Sequence, residues 1–169
     1  MKRSIPENWP APENFLIELG RLTSLWGLLE SSMMVAISRF AGYNGALDWR
    51  AVAMVAHTNT NQRIDVIGTL CEQLLRDYPE LANYKQVVSK LRSAQKARNR
   101  FMHLPVVWNE EAERVEAASA SARGSLKTNI VEVKLSEIED AVEKVHEANC
   151  ALTSLVTREE IRPIWEREA

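Results

Sequence analysis

From Glu13 to Phe40 apolar side chains return every three or four positions, at Phe15, Leu19, Leu22, Trp26, Leu29, Met33, Ile37 and Phe40. That period is one face of a helix, and its length predicts a single amphipathic helix packed along a core. Gly20 and Gly27 cost such a helix intrinsic propensity, which predicts close approach of a neighbouring helix there. Ala41 to Gly45 reads as a loop, and Asp48 is placed to cap a short helix through Val55. His57 to Asn61 interrupts the pattern, which resumes with Ile64, Ile67, Cys71, Leu74 and Tyr78. Pro79 suits the first turn of a further helix, whose face carries Leu81, Tyr84, Val88, Leu91, Arg98 and Met102. Beyond Pro105 the period shortens. Val106–Trp108, Glu113–Glu116 and Asn129–Leu135 read as short strands, with Ala117 to Lys127 as a flexible loop or hairpin tip. Ser136 to Glu139 matches a capping box opening a last helix with Ile138, Val142, Val145, Asn149, Leu152 and Val156 on one face, to about Glu160. Pro163 breaks the tail, where Ile164 and Trp165 offer an apolar anchor. Residues 1–12, with Pro6, Pro10 and Pro12, cannot form one helix; they predict an extended arm whose Trp9 and Ile5 pack on the body or a second copy, or a frayed end. The fold expected is mainly all-α: one domain over 13–169, an antiparallel up-and-down bundle of four to five helices with a small β-hairpin insertion before the last.

Two charges break this pattern. Arg98 occupies an apolar position of its helix, and Glu30, four residues after Trp26, intrudes on the stripe of the first. Charges placed there are costly unless paired, and setting the two face to face removes both penalties; alternatively, Glu30 lies at the stripe edge and reaches water. Pro105 disfavours helical geometry at Leu104, so His103 falls near the helix C-terminus, where the dipole favours an imidazolium. Arg98 and His103 then stand ~7.5 Å apart along the axis, close enough to act on one phosphodiester. Arg92, Lys96 and Arg100 recur every four residues as a basic stripe, which is either a solvated helix face or a track for a phosphate backbone. Glu143 and His146 form half of the pattern used by bundle di-metal sites. No second half accompanies them, so the sequence predicts no metal site and no cofactor, and leaves His146 as an ordinary exposed residue.

Arg98-Asn99-Arg100-Phe101-Met102-His103 resembles the signature of the HEPN superfamily: an arginine, often followed by a polar residue, then a histidine a few positions later, on a late helix of an all-helical chain. Trp26-x3-Glu30 in the first long helix and the amphipathic last helix extend the resemblance over most of the chain. It implies a metal-independent endoribonuclease, dimeric, with two Arg-x4-His motifs meeting in a shared cleft. His103 would exchange protons with the ribose 2′-hydroxyl or the leaving oxygen, Arg98 would offset phosphoryl charge, and Asn99 would orient it. Such enzymes often serve toxin–antitoxin or antiphage systems, so an antitoxin or other protein partner is expected alongside RNA. Many members carry glycine directly after the histidine; Leu104 stands there in this chain, which leans toward the alternative of a HEPN-like scaffold that binds RNA, a nucleotide or a protein without cleaving. A third reading is a purely structural helical dimer.

Composition narrows the setting. The 169 residues suffice for one core, and the net charge of −2 gives no global attraction to nucleic acid. Binding to RNA must therefore use a local patch. Two cysteines without metal or disulfide spacing fit a reducing cytoplasm. No apolar run suggests a signal peptide or a membrane span, and five tryptophans are many for a monomer of this size.

Overall fold

The computed structural model describes residues 5–42, 49–102, 104–121 and 127–167. Five helices run over Glu13–Phe40 (α1), Trp49–Val55 (α2), Thr60–Leu74 (α3), Tyr84–Met102 (α4) and Leu135–Thr157 (α5). Three strands, Val106–Asn109 (β1), Arg114–Ser121 (β2) and Lys127–Glu132 (β3), lie between the last two helices. α1 has the bounds its apolar period predicts. α3 begins where Asn59 caps it: the Asn59 side chain accepts the Gln62 N–H at 3.0 Å, and the Gln62 side chain returns to the Asn59 N–H at 2.8 Å. The segment that interrupts the apolar pattern thus contains the start signal of the next helix. Pro79–Asn83 forms a 3₁₀ turn ahead of α4, so the helix proper starts later than Pro79 suggests. Asp48, the expected cap of α2, lies outside the described residues.

Long helices α1, α3, α4 and α5 form a ring in that order, with α1 closing on α5 and with α1 and α4 diagonal. Their directions follow from residue pairs. On α3 and α4, Asp65 meets Arg92 and Gly68 meets Val88. On α5 and α4, Glu147 meets Lys90 and Glu137 meets Arg100. On α1 and α4, Thr23 meets Met102 and Trp26 meets Arg98. Each set runs in opposite senses, so α4 is antiparallel to all three partners and those three are parallel to one another. The helices thus alternate in direction along the chain only when α2 is counted, and α1 has parallel neighbours in α3 and α5. Short connections give antiparallel neighbours, but residues 41–59 include α2, which packs on α1 as a return leg, and α3 then sets out in the direction of α1.

A continuous core joins Leu22, Leu29 and Met33 of α1 to Ile64 and Ile67 of α3, Leu91 and Ala94 of α4, and Val145 and Leu152 of α5. The buried face of α4 is Tyr84, Val87, Leu91, Ala94 and Phe101. It is turned slightly from the expected one, so Val88 and Met102 lie at its margin; Arg98 stays in register with the buried set. Gly20 and Gly27 do not mark close contacts: a Cβ at either would meet nothing within 4 Å.

The insertion is a three-stranded antiparallel meander rather than a hairpin, because β2 continues through Ala117–Ser121, where a loop was expected, to pair with β3. Small residues at Ala117, Ala118 and Ala120 mask the strand's alternation in sequence. Val115 and Ala117 turn inward, and the Trp108 N–H on the outer edge of β1 donates to Pro10 O at 2.8 Å. The N-terminal arm is thus docked through Pro10 and the buried Ala11, while Trp9 and Ile5 remain about two-thirds exposed (64% and 68%). α5 starts at Leu135, ahead of the expected Ser136–Glu139 box, with the Glu137 carboxylate accepting the Lys134 N–H at 3.1 Å. It stops at Thr157, where Arg158 turns into the left-handed region at φ 64°.

Candidate functional site at the end of α4

Arg98 lies in the last turns of α4, half-buried because its position belongs to the helix's inward face. Its contacts include two with described side chains. Its guanidinium carbon stands 5.2 Å from the centre of the Trp26 ring, and Nη1 donates to Asn99 Oδ1 at 3.1 Å. A cation over an indole gains attraction that grows as water is excluded, so Trp26, itself buried, offers Arg98 an inward resting place on an apolar face. Thr23 Oγ also donates to Met102 Sδ at 3.5 Å, tying the end of α4 to α1. His103 follows Met102 directly in sequence and lies outside the described residues.

Glu30 and Arg98 have different partners from the pairing their sequence positions suggested. The Glu30 carboxylate accepts the Thr60 hydroxyl at 3.3 Å, at the start of α3, while Arg98 rests on Trp26. The reason is architectural: helices α1 and α4 are diagonal, so the half-buried carboxylate turns to the adjacent α3 instead. Glu30 serves the α1–α3 contact, and the residue of α1 that supports Arg98 is Trp26, one turn earlier.

Stripe residues Arg92, Lys96 and Arg100 do not face one way. Steps of four residues advance 40° beyond a full turn, so the stripe winds across the exposed face of α4. At one end Arg92 bonds Asp65 of α3 at 2.5 Å; at the other Arg100 bonds Glu137 of α5 at 2.6 Å. Burial pushes the Glu137 carboxyl up, but the Lys134 N–H and the Arg100 contact outweigh it and leave the group below its ordinary range. No ion pair of the described residues involves Lys96. It lies between two shallow grooves. One, of ≈ 350 Å³, is lined by Asn61, Arg92, Gln95, Lys96 and Asn99; the other, of ≈ 550 Å³, runs between α4 and α5 past Arg100, Asp140 and Lys144. Among the described residues, Asn99 and Lys96 therefore share a polar groove, where expected site residues from both groups converge.

Sequence reasoning missed the surroundings of His146. It is half-buried, and it holds the C-terminal tail rather than facing water. The signal was the i, i+4 spacing of His146 and Cys150 ahead of the apolar Ile164 and Trp165. Among the described residues no three His, Cys, Asp or Glu side chains cluster in a way that could hold a metal ion, and no helix is long and apolar enough to cross a membrane. Comparison of the chain with protein-family models, with curated proteins and with solved structures finds no match.

Proposed function

We propose that this chain is a HEPN-like, metal-independent endoribonuclease that acts as a homodimer in the cytoplasm, in a toxin- or antiphage-type role with a protein antagonist. The observation that supports it is the seat of Arg98: an arginine on the inward face of α4, set over Trp26 and bonded to Asn99, which itself lines a polar groove with Lys96. Its guanidinium lies against an aromatic ring and bonds Asn99, whose side chain lines the groove with Lys96, so a phosphate held there would lie close to the end of α4.

In the reaction, His103 moves a proton at the 2′-hydroxyl or the leaving oxygen, which as positioned acid–base catalysis is worth ~10²–10⁴ in rate. Arg98 meets the charge that grows on the phosphoryl oxygens, a contribution of ~3 kcal/mol for a fixed donor in a dry site. Asn99 holds the guanidinium plane, and Lys96 draws the backbone in. The test is incubation of single-stranded RNA with the wild type and with His103→Ala. Cleavage by the first, unchanged in EDTA and absent from the second, supports the proposal; cleavage restored to an EDTA-treated sample only by Mg²⁺ or Mn²⁺ overturns it.

A HEPN-like scaffold that binds RNA or a protein without cleavage is the second reading. It is favoured by the engagement of Arg92 with Asp65 and of Arg100 with Glu137, which spends much of the stripe's charge within the protein. RNA binding with no cleavage product would select it.

A further inference from the structure

Beyond the nuclease reading, the C-terminal tail carries its own logic. Residues 161–167 fold back along α5 and are held by polar bonds to one face of that helix. Ser154 Oγ accepts the Ile161 N–H at 2.9 Å, Cys150 Sγ donates to Arg162 O at 3.7 Å, and His146 Nε2 accepts the Ile164 N–H at 3.0 Å. The Trp165 ring stands 5.1 Å from the imidazole at 59°, and Arg167 Nε closes the turn on Arg162 O at 2.9 Å. Apolar burial adds little, since Ile164 is 62% and Trp165 49% exposed. A segment fastened mainly by hydrogen bonds is sensitive to the loss of any one acceptor.

His146 is such an acceptor, and it titrates. Accepting at Nε2 requires a neutral ring with its proton on Nδ1; protonation turns Nε2 into a donor that opposes the Ile164 N–H and has only the Cys150 sulfur, 3.7 Å away, to accept from it. We propose that the tail is a pH-operated latch, closed while His146 is neutral and opened by its protonation, which uncovers Cys150 and the α5 face around it. Charges reaching the ring are Arg167 of the tail, which opposes an imidazolium, and Glu147 of α5, which favours one. From α4, Lys90 occupies Glu147 at 3.1 Å. Glu166 and Arg167 also act on the neighbouring Cys150 thiol, and Glu160 is held by Arg162 at 2.9 Å. Burial first, then Arg167, holds the imidazole below its ordinary value. The sign is therefore fixed. Latch stability is complete above the ordinary value of ~6.5 and is lost as pH falls through the lower folded one, because the open state binds the extra proton.

Cys150 is the reporter, 3% exposed with the latch closed, and Cys71 in the core is the internal control. The experiment labels the full chain with 4,4′-dithiodipyridine, which reacts with thiols in acid, and reads each cysteine by peptide mass spectrometry from about pH 7.5 to about pH 5. Relative to the urea-unfolded chain at the same pH, Cys150 labelling should rise by up to about tenfold per pH unit between ~6.5 and the lower folded value of His146 and level off below it, while Cys71 stays protected. In His146→Gln, whose amide oxygen accepts the same N–H without titrating, Cys150 labelling relative to the urea-unfolded chain should not change with pH. A flat Cys150 response in the wild type, a parallel rise at Cys71, or a His146→Gln variant that follows the wild type would each overturn the latch.

Discussion

Arg98 and Glu30 show how a residue can be placed correctly and its partner misplaced. Each charge falls at an apolar position of its helix, so sequence alone reveals that each needs accommodation. Which neighbour supplies it depends on the order of helices around the ring, and no local pattern encodes that order. With Glu30 on Thr60 and Arg98 on Trp26, Glu30→Gln and Arg98→Met should act independently. Their effects on urea unfolding should add to within ~0.5 kcal/mol; a coupling above ~1 kcal/mol would mean that the two charges do meet. The cycle of Trp26→Leu with Arg98→Met should instead show a favourable coupling of about 0.5–2 kcal/mol, the range for a cation over an indole as water is removed. His103→Ala should leave the unfolding midpoint nearly unchanged, so that any loss of cleavage reads as chemistry.

At the scale of elements, helices were the legible part because their signal is repeated. α1 offers eight apolar positions in period, and its bounds match the expectation. Strand β2 offers Ala117, Ala118 and Ala120, whose small side chains carry little contrast between inside and outside, so its second half reads as loop. Helix starts were legible only in part. Asn59 and Gln62 form the capping box of α3, and Asn59→Ala should cost about 0.5–2 kcal/mol in urea unfolding, large for a substitution at an exposed site. Glu137, which ties the start of α5 to Arg100 of α4, should act through pH. Its carboxyl sits below the ordinary range, so the stability it adds is complete above ~4.3 and is lost as pH falls through its folded value. Glu137→Gln should therefore lower the unfolding midpoint at neutral pH and lessen its decline in acid. An acid decline as steep in the variant as in the wild type would assign that dependence to other carboxylates.

For the whole molecule, the consequence lies in how few of the described cations beside the Asn99 groove one copy offers RNA. The chain is slightly acidic, with a net charge of −2, and Arg92 and Arg100 are bound to Asp65 and Glu137. In the proposed mechanism the phosphate contacts near the groove then fall to Lys96 and Arg98. Two contacts per copy give single-stranded RNA little electrostatic hold, and a second copy that brings its own pair into the same cleft doubles it. The salt dependence of binding reports the difference. Four contacts should give a slope near −3 for the logarithm of affinity against that of salt concentration, and two a slope near −1.4. Light scattering at ~50 µM, above the dissociation constants of ordinary stable dimers, should give twice the chain mass, and binding to an RNA too short to be cut should show the steeper slope. A monomer mass with the shallow slope would defeat the shared cleft, since a single Arg98 would then have no second motif to work against.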